Sequence, residues 1–157
     1  VSVPTVRALT AQDGVAARAL VHAVYAGTRH LMRTLELIDL SLTGEDPECL
    51  GLACAADDGV LEGIVLYGSI GGAAGVVRLH ALFGHGADRL AALIGGVATV
   101  DSARDARMFM CELSDAPEHA LASNALASRG FTVEARIAEY FADGLALDVL
   151  VLRRSAA

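Results

Sequence analysis

The stretch Leu82-Phe83-Gly84-His85-Gly86-Ala87-Asp88-Arg89-Leu90 decides how this chain is read. An apolar run ends in two glycines spaced by one residue, and a helical pattern begins at once. Leu90, Leu93, Ile94 and Val97 then fall on one face of that helix. A strand–turn–helix junction leaves the first N–H groups of the helix without intrahelical partners, a ready seat for phosphate oxygens. The two-glycine turn is a weak signal alone, and its meaning comes from the elements around it.

Upstream, Val3–Leu9 reads as a strand, and Thr10-Ala-Gln-Asp13 starts a helix in the manner of a capping box. That helix runs to about Tyr25, with Ala16, Ala19, Leu20, Ala23 and Val24 on one face. A second helix follows from Thr28 to about Leu40, where Leu31, Leu35 and Ile38 repeat at helical spacing. Strands are expected at Glu48–Ala56 and Val60–Ile70, joined by Asp57-Asp58-Gly59, a strong hairpin signal. Gly71-Gly-Ala-Ala-Gly75 is read as a second turn, leading into Val76–Phe83 and completing an antiparallel meander.

Downstream, Arg107–Leu113 is an apolar strand interrupted only by Glu112, as expected where both sheet faces are covered. Asp115-Ala-Pro-Glu118 combines a capping Asp, a first-turn proline and an acid, and reads as a helix start. That helix ends at Arg129-Gly130, with the glycine suited to a left-handed cap. Two last strands, Phe131–Phe141 and Leu145–Arg153, flank the turn Ala142-Asp143-Gly144.

Length and composition bound the answer. With 157 residues, the expectation is one domain over 1–157. Apolar residues make up 54% but aromatics only 4%, so the core must be built from Ala, Val and Leu. A net charge of −7 argues against a nucleic-acid partner, which would require a basic face. Cys49, Cys54 and Cys111 form no CxxC pair and are expected to be buried thiols. The five histidines lack metal-ligand spacing, so no metal is expected. No run has the apolar length of a membrane span, and the first residues lack the regions of a signal peptide. The expectation is therefore a cytoplasmic setting with no membrane partner.

The order β-α-α-β-β-β-α-β-α-β-β resembles the GNAT N-acetyltransferase superfamily over nearly the whole chain. The most specific piece is Ala125-Leu-Ala-Ser-Arg-Gly-Phe131, then Glu139-Tyr-Phe-Ala-Asp-Gly144, then Leu147-Asp-Val-Leu-Val-Leu-Arg153. These look like that family's helix ending in Gly-Phe, its tyrosine-bearing strand, an acidic turn and a final apolar strand. The resemblance implies an α/β fold: a mixed, mostly antiparallel sheet of about seven strands flanked by about four helices. It also implies acetyl-CoA as acyl donor, with Leu82, Phe83, Gly84, His85, Gly86, Ala87, Asp88 and Arg89 as the cofactor-binding turn. Gly84 and Gly86 match the two small positions of the family's loop, and Leu90 matches a helix-seating Leu. Ala81 stands where the family has Gln or Arg, so Arg89 is the nearest cation. Leu126 stands where the family often carries a Tyr that protonates the leaving thiolate.

The activity implied is transfer of acetyl to a primary amine, on a small molecule or a peptide N-terminus, by direct attack in a ternary complex. The alternative is a module of the same shape that binds an acyl-CoA or a partner protein without turnover. The fold would splay the strands Val76–Phe83 and Arg107–Leu113, and a backbone N–H near Leu82 would serve as oxyanion donor. Three side chains are candidates for acid–base work there. Glu112 is either a base, made useful near neutrality by burial, or the ion-pair partner of Arg78 or Arg107. His80 is either a base or a strand histidine bonded to backbone, and Tyr140 either lines the acceptor pocket or is a half-exposed sheet tyrosine. His85 is a turn residue or a phosphate ligand; His22, His30 and His119 are assigned no role. The acceptor's charge is not legible in 25–47, where both signs mix. The apolar last strand, with Leu147, Val149 and Val151, would suit a homodimer edge as well as a core.

Overall fold

The structure is a computed structural model that describes residues 3–155. Its elements are β1 (Thr5–Ala8), α1 (Gly14–Tyr25), α2 (His30–Ser41), β2 (Leu50–Ala55), β3 (Leu61–Ile70), β4 (Ala73–Gly84), α3 (Ala87–Val97), β5 (Met108–Ser114), α4 (Ala120–Ser128), β6 (Thr132–Ile137) and β7 (Leu147–Arg153). The strands make one sheet in the order β1-β2-β3-β4-β5-β7-β6. All neighbours are antiparallel except β4 and β5, which run parallel.

Helices cover both faces. Leu20, Val21 and Tyr25 of α1 and Ile38 of α2 pack with Ile64, Leu66 and Phe83 on one side. Leu90, Leu93 and Val97 of α3 and Leu126 of α4 pack with Val65, Leu79, Leu82 and Cys111 on the other. Side chains alternate across a pleated strand, so a central strand serving both layers must be apolar at every position. This accounts for the uninterrupted run Ile64-Val-Leu-Tyr67. All three cysteines are buried and free. No helix of the described residues is long and apolar enough to cross a membrane.

The N-terminal cap forms as its residues indicate. Asp13 accepts hydrogen bonds from the Thr10 amide (2.8 Å), the Thr10 hydroxyl (3.1 Å) and both terminal nitrogens of Arg7 (2.8 Å each). The Arg7 guanidinium, helped by Thr10, holds the Asp13 carboxyl down to about 2 against the cost of burial. Its folded value lies below its unfolded one, so this stabilisation is present above the usual carboxylate range and is lost as pH falls through 2. Asp13→Asn is expected to cost about 2 kcal/mol, read as a lower urea midpoint with unchanged slope.

Several expectations need correction. The buried face of α1 is Ala17, Leu20, Val21 and Tyr25, with Ala16, Ala19 and Ala23 exposed. Larger side chains remove more apolar area from water than alanines do, so they set the rotation of the helix. The turn between β3 and β4 is shorter than 71–75, since pairing already begins at Ala73 and Gly72 takes φ +79°. Asp115 is not a helix cap. Ala116 occupies that position, a 3-10 turn spans Pro117–His119, and Asp115 instead accepts from the Ala146 amide (2.9 Å) and Arg136 (2.6 Å). β6 ends at Ile137 rather than Phe141, because Glu139 adopts φ +52° and leaves the sheet. β7 lies between β5 and β6, so the last strand is not an edge available to a dimer.

Candidate active site

The functional geometry originates in β4. Its pairing with β3 passes from Tyr67↔Leu79 to Leu66↔Ala81, leaving His80 as the extra residue of a bulge. A bulge bends its strand and increases the local twist. β4 pairs with β5 only over Val76–Leu79 and Met108–Cys111, after which the two strands diverge. The expected splay is thus present, and a cavity of about 320 Å³ lies at the fork. β4 contributes Arg78–Ala81 to its lining, β5 contributes Glu112–Ser114, and the start of α2 contributes Arg29, His30, Arg33 and Thr34. Leu37, His119, Tyr140, Phe141 and Leu147 complete it.

Glu112, His80 and Tyr140 all line this one cavity. Arg78 donates to Glu112 from Nη2 at 2.7 Å, so the ion-pair alternative is realised within the cavity wall. Nε of Arg78 is buried without a hydrogen-bond partner among the described residues. His80 Nε2 sits 2.6 Å from the Glu48 carbonyl oxygen, which makes Nε2 the protonated nitrogen and leaves Nδ1 as an acceptor. Burial lowers the His80 imidazole below its ordinary value, partly opposed by that bond. Tyr140 is 55% exposed at the mouth, in a turn rather than on the sheet, with its ring against Phe141. Arg29 holds this turn through an ion pair with Asp143 and by stacking over Phe141, 4.7 Å from its centroid.

Three further side chains meet here that the sequence reading left without a role. The Ser114 hydroxyl lies 2.8 Å from His119 Nδ1 and 3.3 Å from His30 Nε2. The two imidazole centroids are 4.3 Å apart, and Glu118 Oε1 is 3.6 Å from His30 Nε2. Burial, reinforced by the neighbouring His119, pushes His30 down to about 4, with Glu118 opposing. Burial also lowers His119, opposed by the bond of its Nδ1 to the Ser114 backbone carbonyl (3.2 Å). Both rings are therefore neutral near pH 7, and the cluster can hold and pass a proton without carrying net charge. No local spacing could have shown it: His30 and Ser114 are 84 residues apart.

The histidines carry a stability consequence. The unfolded chain binds protons below the ordinary histidine value of 6.5, whereas folded His30 does so only near 4. Stability is thus complete above the unfolded value and falls as pH drops from 6.5 towards 4. The urea midpoint is expected to decline between pH 7 and 5, and His30→Gln should flatten that decline. A parent midpoint independent of pH over this interval would contradict the assignment.

The glycine turn follows the fork, at the C-terminal end of β4. A Cβ on Gly84 would lie 2.3 Å from the Glu62 carbonyl oxygen, so the close pairing with β3 admits only glycine there. His85 donates its amide to that same oxygen at 2.7 Å. Gly86 takes φ +88° and caps α3, and a Cβ placed on it would approach only the Arg89 side chain, no nearer than 3.5 Å. Leu82 and Phe83 are buried in opposite core layers, so only their backbone can reach a ligand. Arg89 is engaged by Glu62, and Asp88 adds negative charge to the first helical turn. A pyrophosphate placed at this turn would rest on backbone N–H groups and the helix start, with little side-chain charge to help. Leu126 is fully buried in the α3/α4 core and offers no proton.

No protein-family model matches this chain, and no curated protein matches its sequence. Solved structures do match it in shape. A Desulfovibrio desulfuricans protein described as a GNAT-family acetyltransferase superposes with TM-score 0.78 at 21% identity, over 96% of this chain and 99% of its own. The ribosomal-protein-S18-alanine N-acetyltransferase of Escherichia coli gives 0.72 at 16% identity, over 99% and 96%. A Salmonella typhimurium protein described as an acetyltransferase, solved with its cofactor acetyl-CoA, gives 0.69 at 20% identity, over 99% and 98%. At these identities the likeness is one of fold.

Proposed function

We propose that this chain, which has the GNAT acetyltransferase fold, transfers an acetyl group from acetyl-CoA to a primary amine by direct attack in a ternary complex. The observation that carries this reading is the fork between β4 and β5, with a cavity holding proton-accepting groups on one side and the glycine turn at the end of β4. The two solved relatives named for N-acetyl transfer or for bound acetyl-CoA support it through the shared fold. Bound acetyl-CoA would supply an activated thioester at the fork.

The chain's own contributions follow from the cavity wall. The backbone of Gly86–Arg89 binds phosphate oxygens, and the unpaired edge of β4 beyond Leu79 offers amides along the fork. Glu112 removes the proton from the incoming ammonium, so that a neutral amine attacks; Arg78 keeps its carboxylate aimed into the cavity. Ser114 holds a proton at Oγ between His119 and His30, a hydroxyl placed at the fork where the missing tyrosine leaves no phenol. Holding the two substrates together supplies much of the remaining acceleration.

A module that binds without turnover is the second reading, favoured by Leu126 and by the capture of Arg89 by Glu62. Release of free thiol from acetyl-CoA, followed over a panel of primary amines, separates the two. Amine-dependent release is expected; saturable binding with no release over the panel would establish the module.

A further inference from the structure

We propose that the acceptor at this site is a small amine that itself carries a carboxylate, an amino-acid-type molecule; this rests on the acyl-transfer reading above. The chain is acidic overall, with net charge −7. Its cavity is not. Three arginines, Arg29, Arg33 and Arg78, line it, and Glu112 is the one acid among the described lining residues.

These arginines differ in how far they are committed. Arg29 is paired with Asp143 and lies over Phe141, and Arg78 is answered by Glu112 at one nitrogen only. Arg33 is 70% exposed and pairs with Glu36, itself 62% exposed, one turn along the same helix. Such surface pairs contribute little and exchange readily. Arg33 is therefore the cation most free to accept a carboxylate bidentately, and Arg29 lies one helical turn before it.

A simple cationic amine would find the one lining carboxylate already paired with Arg78, while Arg33 beside it is held only by a surface pair. An amine with its own carboxylate resolves the mismatch, its anionic end meeting an arginine and its ammonium meeting Glu112. The same cations favour loss of the ammonium proton, which the attack requires. A volume of about 320 Å³ suits a molecule of that size.

The test compares acceptors matched in shape, alanine with alaninamide and β-alanine with β-alaninamide, by thiol release from acetyl-CoA. The expected result is a kcat/KM for the acids roughly tenfold or more above the amides, the effect of one charge-assisted contact. This is a stringent comparison, because the amides present more neutral amine near pH 7. Arg33→Gln should raise KM for the acids by more than for the amides and bring the pairs towards parity. Equal use of amides, or preference for a diamine such as putrescine or for a peptide N-terminus, would overturn the inference and leave acyl transfer standing. Thiol release from no amine at all would overturn acyl transfer, and the acceptor assignment with it.

Discussion

Gly86→Trp is expected to weaken acetyl-CoA binding by at least about a hundredfold, near 2.7 kcal/mol. Gly86 caps α3, and a Cβ there meets only the Arg89 side chain. An indole would occupy the space above the first turn of α3 that phosphate oxygens require. The substitution has a second cost, since φ +88° is strained for any residue with a Cβ, by roughly 1–2 kcal/mol. Gly86→Ala carries the same strain without the bulk and serves as the control. The alanine variant should bind within about tenfold of the parent, and the two variants should unfold at similar urea concentrations. Equal binding by the tryptophan variant and the parent would remove this turn from the cofactor site.

Glu112→Gln is expected to lower kcat at pH 7 by about a hundredfold, in the range of a lost general base, with acetyl-CoA affinity almost unchanged. Glutamine preserves the shape and an acceptor oxygen for Arg78 Nη2, so the wall of the cavity should persist. The pH profile distinguishes a base from a structural partner. Loss of the base should remove the acidic limb of kcat/KM, whereas loosening of Arg78 alone would lower activity evenly across pH. A variant that retains parental kcat would confine Glu112 to its ion pair and shift the base to His80, whose Nδ1 is the free acceptor.

The sequence made the layered α/β sheet legible because its signals were local and agreed with one another. Asp57-Asp58-Gly59 closes a hairpin with Gly59 at φ +84°, the stripe Leu90, Leu93, Ile94, Val97 is buried as spaced, and Gly130 ends α4 at φ +87°. The failures share a different origin. Asp115 carries the right residue type for a cap, but a competing bond to Ala146 claims it. The rotation of α1 depended on which of two small-residue stripes met the sheet. Glu112, His80 and Tyr140, which line one cavity, were each marked in the sequence, by an acid in an apolar strand, a histidine at the expected splay and a matched motif. Ser114, His119 and His30 converge only when the start of α2 meets the C-terminal end of β5, a tertiary event without local pattern.

Calorimetric titration of the purified protein with acetyl-CoA, with free CoA as comparison, tests most directly whether the fork and the glycine turn together form a working acetyl-CoA site. Saturable binding in the micromolar range is the predicted result; no heat of binding up to millimolar acetyl-CoA would contradict it and leave the fold without its cofactor.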